Sequence, residues 1–214
     1  FAGMVAALVA WAVLTVPSGD PVLTGLVRDA APDSGVGNPV TAVLLNFRGY
    51  DTLLEVGVLL LAALGVSTIG APRHAASLGG TRVRGPVILA FAHLVLPGLI
   101  VLAAYLLWIG ADLPGGAFQG AAVLAGAWLV CAFAGLPAEV APGRMPALLA
   151  GGFFIFLLVA AGMILLNGGL LRFTPATAKW WLLVIESGLL VSCAAILATL
   201  VFRLTDDERT EGGP

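Results

Sequence analysis

The sequence predicts an all-α integral membrane protein of about six transmembrane helices with one short interfacial helix, and three observations predict it. Of the 214 residues, 60% come from the AVILMFWYC set and only 10% are charged, against about 25% charged in an ordinary soluble domain. The apolar residues fall into runs close to the roughly 20 residues that a helix needs to cross a bilayer. None of these runs alternates with a period of two, as the strands of an outer-membrane barrel would. Lys and Arg number 10 and Asp and Glu 12, so the chain lacks the basic surplus of a nucleic-acid binder and the polar surface of a soluble domain of this size.

The first run, Phe1 to Val16, is short and passes without an A-x-A-like processing site into a Pro-Ser-Gly-Asp turn, so a cleaved signal peptide is not expected. Gly- and Pro-rich joints separate the runs that follow: Asp51 to Ile69, Val87 to Ile109, Ala117 to Gly135, Pro146 to Leu166 and Trp180 to Phe202. Before the second span, Val40, Val43, Leu44 and Phe47 recur at helical spacing, and Arg48 and Asp51 end the pattern. Two readings fit this segment: a short interfacial helix joined at Gly49 to the span, or one long helix bent there. Cys131 and Cys193 lie inside apolar runs and read as small packing residues. On a six-span chain Arg73, Arg82, Arg84, Arg144, Arg203 and Arg209 share the side of the termini, opposite Arg28, Arg48, Arg172 and Lys179. That bias, chiefly the Arg73 to Arg84 loop, places both termini in the cytoplasm.

An ionised group at mid-bilayer costs at least about 2.5 kcal/mol, so the rare ionisable residues of the spans are the first candidates for function. They are Asp51 and Glu55 in the second span, His93 in the third and Glu186 in the last. Arg48, Asp51 and Glu55, at i, i+3 and i+7, share one face if the helix is continuous, either as a charge cluster handling protons or as an interfacial anchor. Pro97, four residues after His93, removes the hydrogen bond to the His93 carbonyl and should kink the helix, leaving a polar spot. That histidine can relay protons, bind a cation, or join two helices by a hydrogen bond. Glu186, followed by the small residues Ser187, Gly188 and Ser192, should face protein. By helical rise, roughly 15 Å of depth separates His93 from the two glutamates, too far for one proton hop. Water or neighbouring subunits must complete any path. No metal-ligand spacing, cofactor motif or catalytic triad is present, and no enzyme is expected.

The sharpest local motif is GADLPGGAFQG at Gly110 to Gly120, where Gly115 and Gly116 behind Pro114 form a tight turn. Gly116 and Gly120 give the next span a small-xxx-small face for close helix approach. With its preceding LLWI, this segment resembles the G-H-x-x-P-G-G-G-F-Q/V-G-G signature of the B subunit of Mrp-type multisubunit sodium/proton antiporters. The resemblance covers roughly residues 82–208. Upstream, GNPVTAVLLNFRGYDTLLEVGVLLLAALG is similar to the N-V-V-T-A-I-L-x-D-F-R-G-x-D-T-x-G-E segment ending the large A subunit of the same antiporters. It is also similar to the matching small subunit of membrane-bound energy-converting hydrogenases. The resemblance marks Asn38, Arg48, Gly49, Asp51, Thr52 and Glu55 in the first module, and Gly110, Pro114, Gly115, Gly116, Phe118, Gln119 and Gly120 in the second. Departures are Ala111 in place of the family's histidine, Ala117 and Ala121 in place of glycines, and Leu54 and Asn46 in the first module; Asp112 could partly stand in at the loop.

The resemblance implies an accessory component of a prokaryotic inner-membrane complex that exchanges sodium for protons, beside large antiporter-like proteins and small helical subunits. It divides the chain into a membrane module at 1–70, a cytoplasmic linker at 71–86, a four-helix module at 87–204 and an acidic tail at 205–214. Its ion or proton stations would be Asp51, Glu55, His93 and Glu186, with Arg48 alongside. Two rivals remain open: the ion-pumping membrane arm of a redox-driven complex, and a purely structural membrane spacer.

Overall fold

The computed structural model describes residues 2–15, 22–69, 85–138, 140–141 and 143–211, and every regular element among them is helical. Helices α1 (Ala2–Thr15) and α2 (Val22–Ala30) are followed by a single 3-10 turn (Ala31–Ser34) and the short α3 (Pro39–Thr41). A π-helical segment (Ala42–Phe47) then leads to α4 (Gly49–Ile69), α5 (Pro86–Ile109), α6 (Ala117–Phe133), α7 (Met145–Asn167) and α8 (Pro175–Glu211). Within these, Gly49–Thr68, Pro86–Ile109, Met145–Asn167 and Pro175–Phe202 are long and apolar enough to cross a membrane, and Gly3–Ala12 and Ala117–Phe133 are shorter apolar helices. All six apolar runs read from the sequence are therefore helical. The Arg73 to Arg84 loop, on which the orientation chiefly rests, lies outside the described residues.

Helix α8 is the hub, packed against α4, α5, α6 and α7, while α5 packs on α6 and α4 on α7. Its buried Leu182, Ile185, Leu189 and Cys193 meet Val56 of α4, Ala121 and Ala125 of α6, and Phe156 and Met163 of α7 in one cluster, and its Ile196 meets Ala63 of α4 and Leu149 of α7 in a second. Small residues set the helix spacing. A Cβ on Gly152 of α7 would lie 2.6 Å from the Gly188 carbonyl oxygen of α8, and one on Gly120 of α6 would lie 2.9 Å from the Ala103 carbonyl oxygen of α5. Glycine is the residue that permits such backbone approach.

The segment before α4 resolves the two readings of residues 38–51. Of the two, a short helix joined to the span is the one observed, with the break at Arg48 (φ −127°, ψ 35°), one residue before the expected joint at Gly49. The Arg48 N–H bonds the Val43 carbonyl at 2.8 Å, an i to i−5 bond that widens the last turn. The Thr52 hydroxyl donates to the Leu44 carbonyl at 2.6 Å. Gly49 is then the first residue of α4, where Leu171, itself held at φ 55°, packs with its Cδ1 2.7 Å from where a Cβ would stand. Helix α5 continues through Pro97 without interruption.

Candidate functional site

At one end of the bundle the chain before α4 is fastened to the loop between α5 and α6. Asn38 caps α3 by accepting from the Val40 N–H at 3.0 Å, and its amide nitrogen donates to the carbonyls of Gly110 and Leu113, each at 2.9 Å. The Asn38 backbone N–H reaches the Ala111 carbonyl at 2.9 Å, and the Thr41 hydroxyl donates to Gly110 at 2.6 Å. These bonds satisfy the carbonyls of the α5 C-cap Gly110 and of Ala111 and Leu113 in the turn that follows. The loop itself is compressed. A Cβ on Gly110 would stand 2.6 Å from the Gly116 Cα, and one on Gly115 would stand 2.6 Å from the Leu106 carbonyl. Gly116 adopts φ 117° as the N-cap of α6, a backbone region that side chains disfavour.

Beneath this turn lies Glu186 of α8, 5% exposed, with a hydrogen bond to the Ala117 backbone at the first residue of α6. Its Oε1 is 3.0 Å from the position a Gly116 Cβ would take. The N–H groups of a helix's first turn have no partners within the helix and carry partial positive charge, so a carboxylate is favourably placed there. A cavity of about 80 Å³ adjoins it, lined by Thr41, Thr52, Gly116, Gln119 and Glu186 together with apolar neighbours that include Phe118. The cavity wall combines one carboxyl group with two hydroxyls and an amide side chain, with no Lys, Arg or His among the described residues that line it.

The remaining sequence candidates occupy other places. Asp51 pairs with Arg48 at 2.6 Å on the surface, where both are well exposed. Glu55 and His93 are exposed on the outer faces of α4 and α5 and are not brought to Glu186. The cluster of Arg48, Asp51 and Glu55 therefore reduces, among the described residues, to one ion pair. Asp112 pairs with Lys179 at 2.6 Å beside the turn, while Ala111 is buried. Pro114 is exposed, and Phe118 and the exposed Gln119 open α6. Sequence reasoning missed Thr41 as a site residue and Lys179 as the partner of Asp112. The spacing of Thr41 three residues after Asn38 on a helical pattern was the available signal for the first.

Comparison with known proteins gives two family matches. Residues 87–205 match the domain related to the MnhB subunit of Na+/H+ antiporter, and residues 1–75 match MbhE, the E subunit of MBH. The chain is 29% identical over 137 residues to a probable K(+)/H(+) antiporter A/B subunit of Rhizobium meliloti, a match covering 52% of this chain and 14% of that protein. It thus spans a small part of that relative's length. Among solved structures, the Mrp complex from Dietzia sp. superposes with TM-score 0.70 at 22% identity, covering 99% of this chain and 25% of the other. The membrane-bound sulfane sulfur reductase, an archaeal respiratory membrane complex, superposes with TM-score 0.72 at 22% identity, covering 94% and 93%. At these identities the two structures establish a shared fold.

Proposed function

The chain belongs to the family of domains related to the MnhB subunit of Na+/H+ antiporters, and from that membership we propose that it is an accessory membrane subunit of a multisubunit cation/proton antiporter. It contributes helices and one enclosed carboxyl group, Glu186, to the route by which protons enter as cations leave. The observation that carries this reading is the position of Glu186, buried in a membrane helix beside a polar cavity and held by the N-terminus of α6. An ionisable group in that setting is costly unless compensated, and membrane proteins keep such groups chiefly where ions or protons pass.

Glu55 and His93 complete the reading from outside. Each is an ionisable residue on the outer face of a helix that is long and apolar enough to span a membrane, and each is best accommodated when a sister protein rather than lipid covers it. The partners are large antiporter-like proteins and small helical subunits in a prokaryotic inner membrane, with both termini of this chain in the cytoplasm. Sodium and potassium both suit carboxylate and carbonyl oxygens, and the family description names Na+ where the Rhizobium relative names K+.

The test is antiport in everted vesicles from cells lacking this chain. Exchange is expected to be lost and to return when the chain is supplied from a plasmid. Unchanged exchange in its absence would remove the reading. A second reading, the membrane arm of a redox-driven complex, is favoured by the match of residues 1–75 to the MBH family and by the fold shared with the sulfane sulfur reductase. Copurification from mild detergent separates the two: large antiporter-like subunits alone support the antiporter, and iron-sulfur or nickel-site subunits support the redox arm.

A further inference from the structure

The cavity beside Glu186 brings oxygen acceptors together with the donors at the start of α6. Thr41 gives its hydroxyl proton to the Gly110 carbonyl and Thr52 gives its proton to the Leu44 carbonyl, both at 2.6 Å. Each hydroxyl therefore has only lone pairs left to offer the cavity. Glu186 adds carboxylate oxygens, which accept from the Ala117 backbone. Facing these oxygens are the N–H groups of the first turn of α6 at Phe118 and Gln119 and the Gln119 side-chain amide, so a molecule that both donates and accepts can join the two sets. The volume of about 80 Å³ has room for about two or three water molecules at roughly 30 Å³ each.

A metal ion resident here would lie against the partial positive charge of the α6 N-terminus, whereas water is neutral and can both accept from its N–H groups and donate to the hydroxyl and carboxylate oxygens. Water donates two protons and fits. Gln119, also in the cavity wall, is exposed. It therefore marks where the cavity approaches the molecular surface.

We propose that this cavity holds a cluster of two or three water molecules joining the exposed Gln119 to the buried Glu186 carboxyl, with Thr41 and Thr52 as the residues that position it. The proposal rests on the reading of Glu186 as a proton-exchanging group and supplies the path by which protons reach it. A hydronium ion at Gln119 passes a proton to the first water, and the last water passes one to a Glu186 carboxylate oxygen. The products are water and a neutral carboxyl group. Release reverses each transfer, so charge and atoms balance. Proton entry is thereby assigned to the end of the bundle that carries the Gly110 to Gly116 turn.

The test uses the whole complex in native membranes, with Cys131 and Cys193 replaced by alanine, and Ag+ as a thiol probe small enough for such a cavity. Thr52→Cys and Gln119→Cys are expected to react at comparable rates. Val56→Cys, fully buried one turn deeper on the same helix and outside the cavity wall, is expected to be protected. Thr52→Val is expected to slow antiport per assembled complex about fivefold, the factor supplied by one bridging hydrogen bond, and Thr52→Ser to restore it. A Thr52→Cys thiol as protected as that of Val56→Cys, or wild-type antiport in Thr52→Val, would overturn the proposal. If the proposal fails while Glu186→Gln still abolishes exchange, Glu186 keeps its role and takes its protons elsewhere. Full antiport in Glu186→Gln would overturn the functional reading itself, whatever Ag+ reaches.

Discussion

Gly116 makes two demands at one residue: a backbone at φ 117° and space for the Glu186 carboxyl, whose Oε1 would stand 3.0 Å from any Cβ. Gly116→Ala is therefore expected to cost about 1 to 3 kcal/mol through backbone strain and to displace the carboxyl as well, lowering both thermal stability in detergent and antiport per assembled complex. Gly168 is the comparison. It also has positive φ, 71°, but nothing lies within 4 Å of its Cβ position, so Gly168→Ala should cost only about 1 kcal/mol and leave exchange per complex unchanged. Asn38 carries a different load, one accepted and two donated side-chain bonds. Asn38→Asp keeps the acceptor that caps α3 but cannot donate when ionised, so it should destabilise the complex nearly as much as Asn38→Ala. Each lost bond is worth about 1 kcal/mol, and thermal melting of the solubilised complex reads both.

The helices were legible because bilayer thickness dictates the length of an apolar run, and each run in this sequence became a helix. The joint before α4 was legible to within one residue, but the π-helical widening that leads to it was not. Residues 40–47 carry an ordinary helical spacing of apolar side chains, and the wider turn exists only because Thr52 takes up the Leu44 carbonyl and Arg48 bonds back to Val43. Helix contacts sort the glycines in the same way. A Cβ on Gly152 meets the rigid carbonyl of Gly188 at 2.6 Å, whereas a Cβ on Gly49 meets the end of the Leu171 side chain at 2.7 Å. Gly152→Ala should therefore force α7 from α8 and lower the melting temperature more than Gly49→Ala, because a leucine can change rotamer and a helix backbone cannot. Equal effects would show that the α7 and α8 spacing is softer than this packing implies.

Over the whole molecule, the site was half legible. That Glu186 faces protein followed from the small residues after it, and the tight turn followed from its glycines. That Glu55 and His93 face outward did not follow, since an acid or a histidine in an apolar helix says nothing about which neighbours that helix will find. The joining of Asn38 and Thr41 to the 110–113 loop spans about seventy residues of sequence and leaves no local trace. Topology has its own test. The pairing of Asp112 with Lys179 near the start of α8 and the contact of Gly49 with Leu171 put the loops at 110–116 and 168–174 at one end, and Arg144 lies in the connection at the other. With cytoplasmic termini, Asp112→Cys should react with an impermeant thiol reagent only from outside the cell and Gly143→Cys only in everted vesicles. Reaction of both from one side would contradict the fold.

The central claim is that the carboxyl enclosed by α6 and α8 exchanges protons during transport. It is tested most directly by Glu186→Gln, measured as cation-dependent proton movement in everted vesicles and normalised to the amount of assembled complex. Glutamine keeps the shape and cannot titrate, so the account predicts normal assembly with exchange reduced to the level of membranes lacking this chain. Normal exchange in assembled Glu186→Gln complexes would contradict it, and reduced assembly with full exchange per complex would leave Glu186 a packing residue.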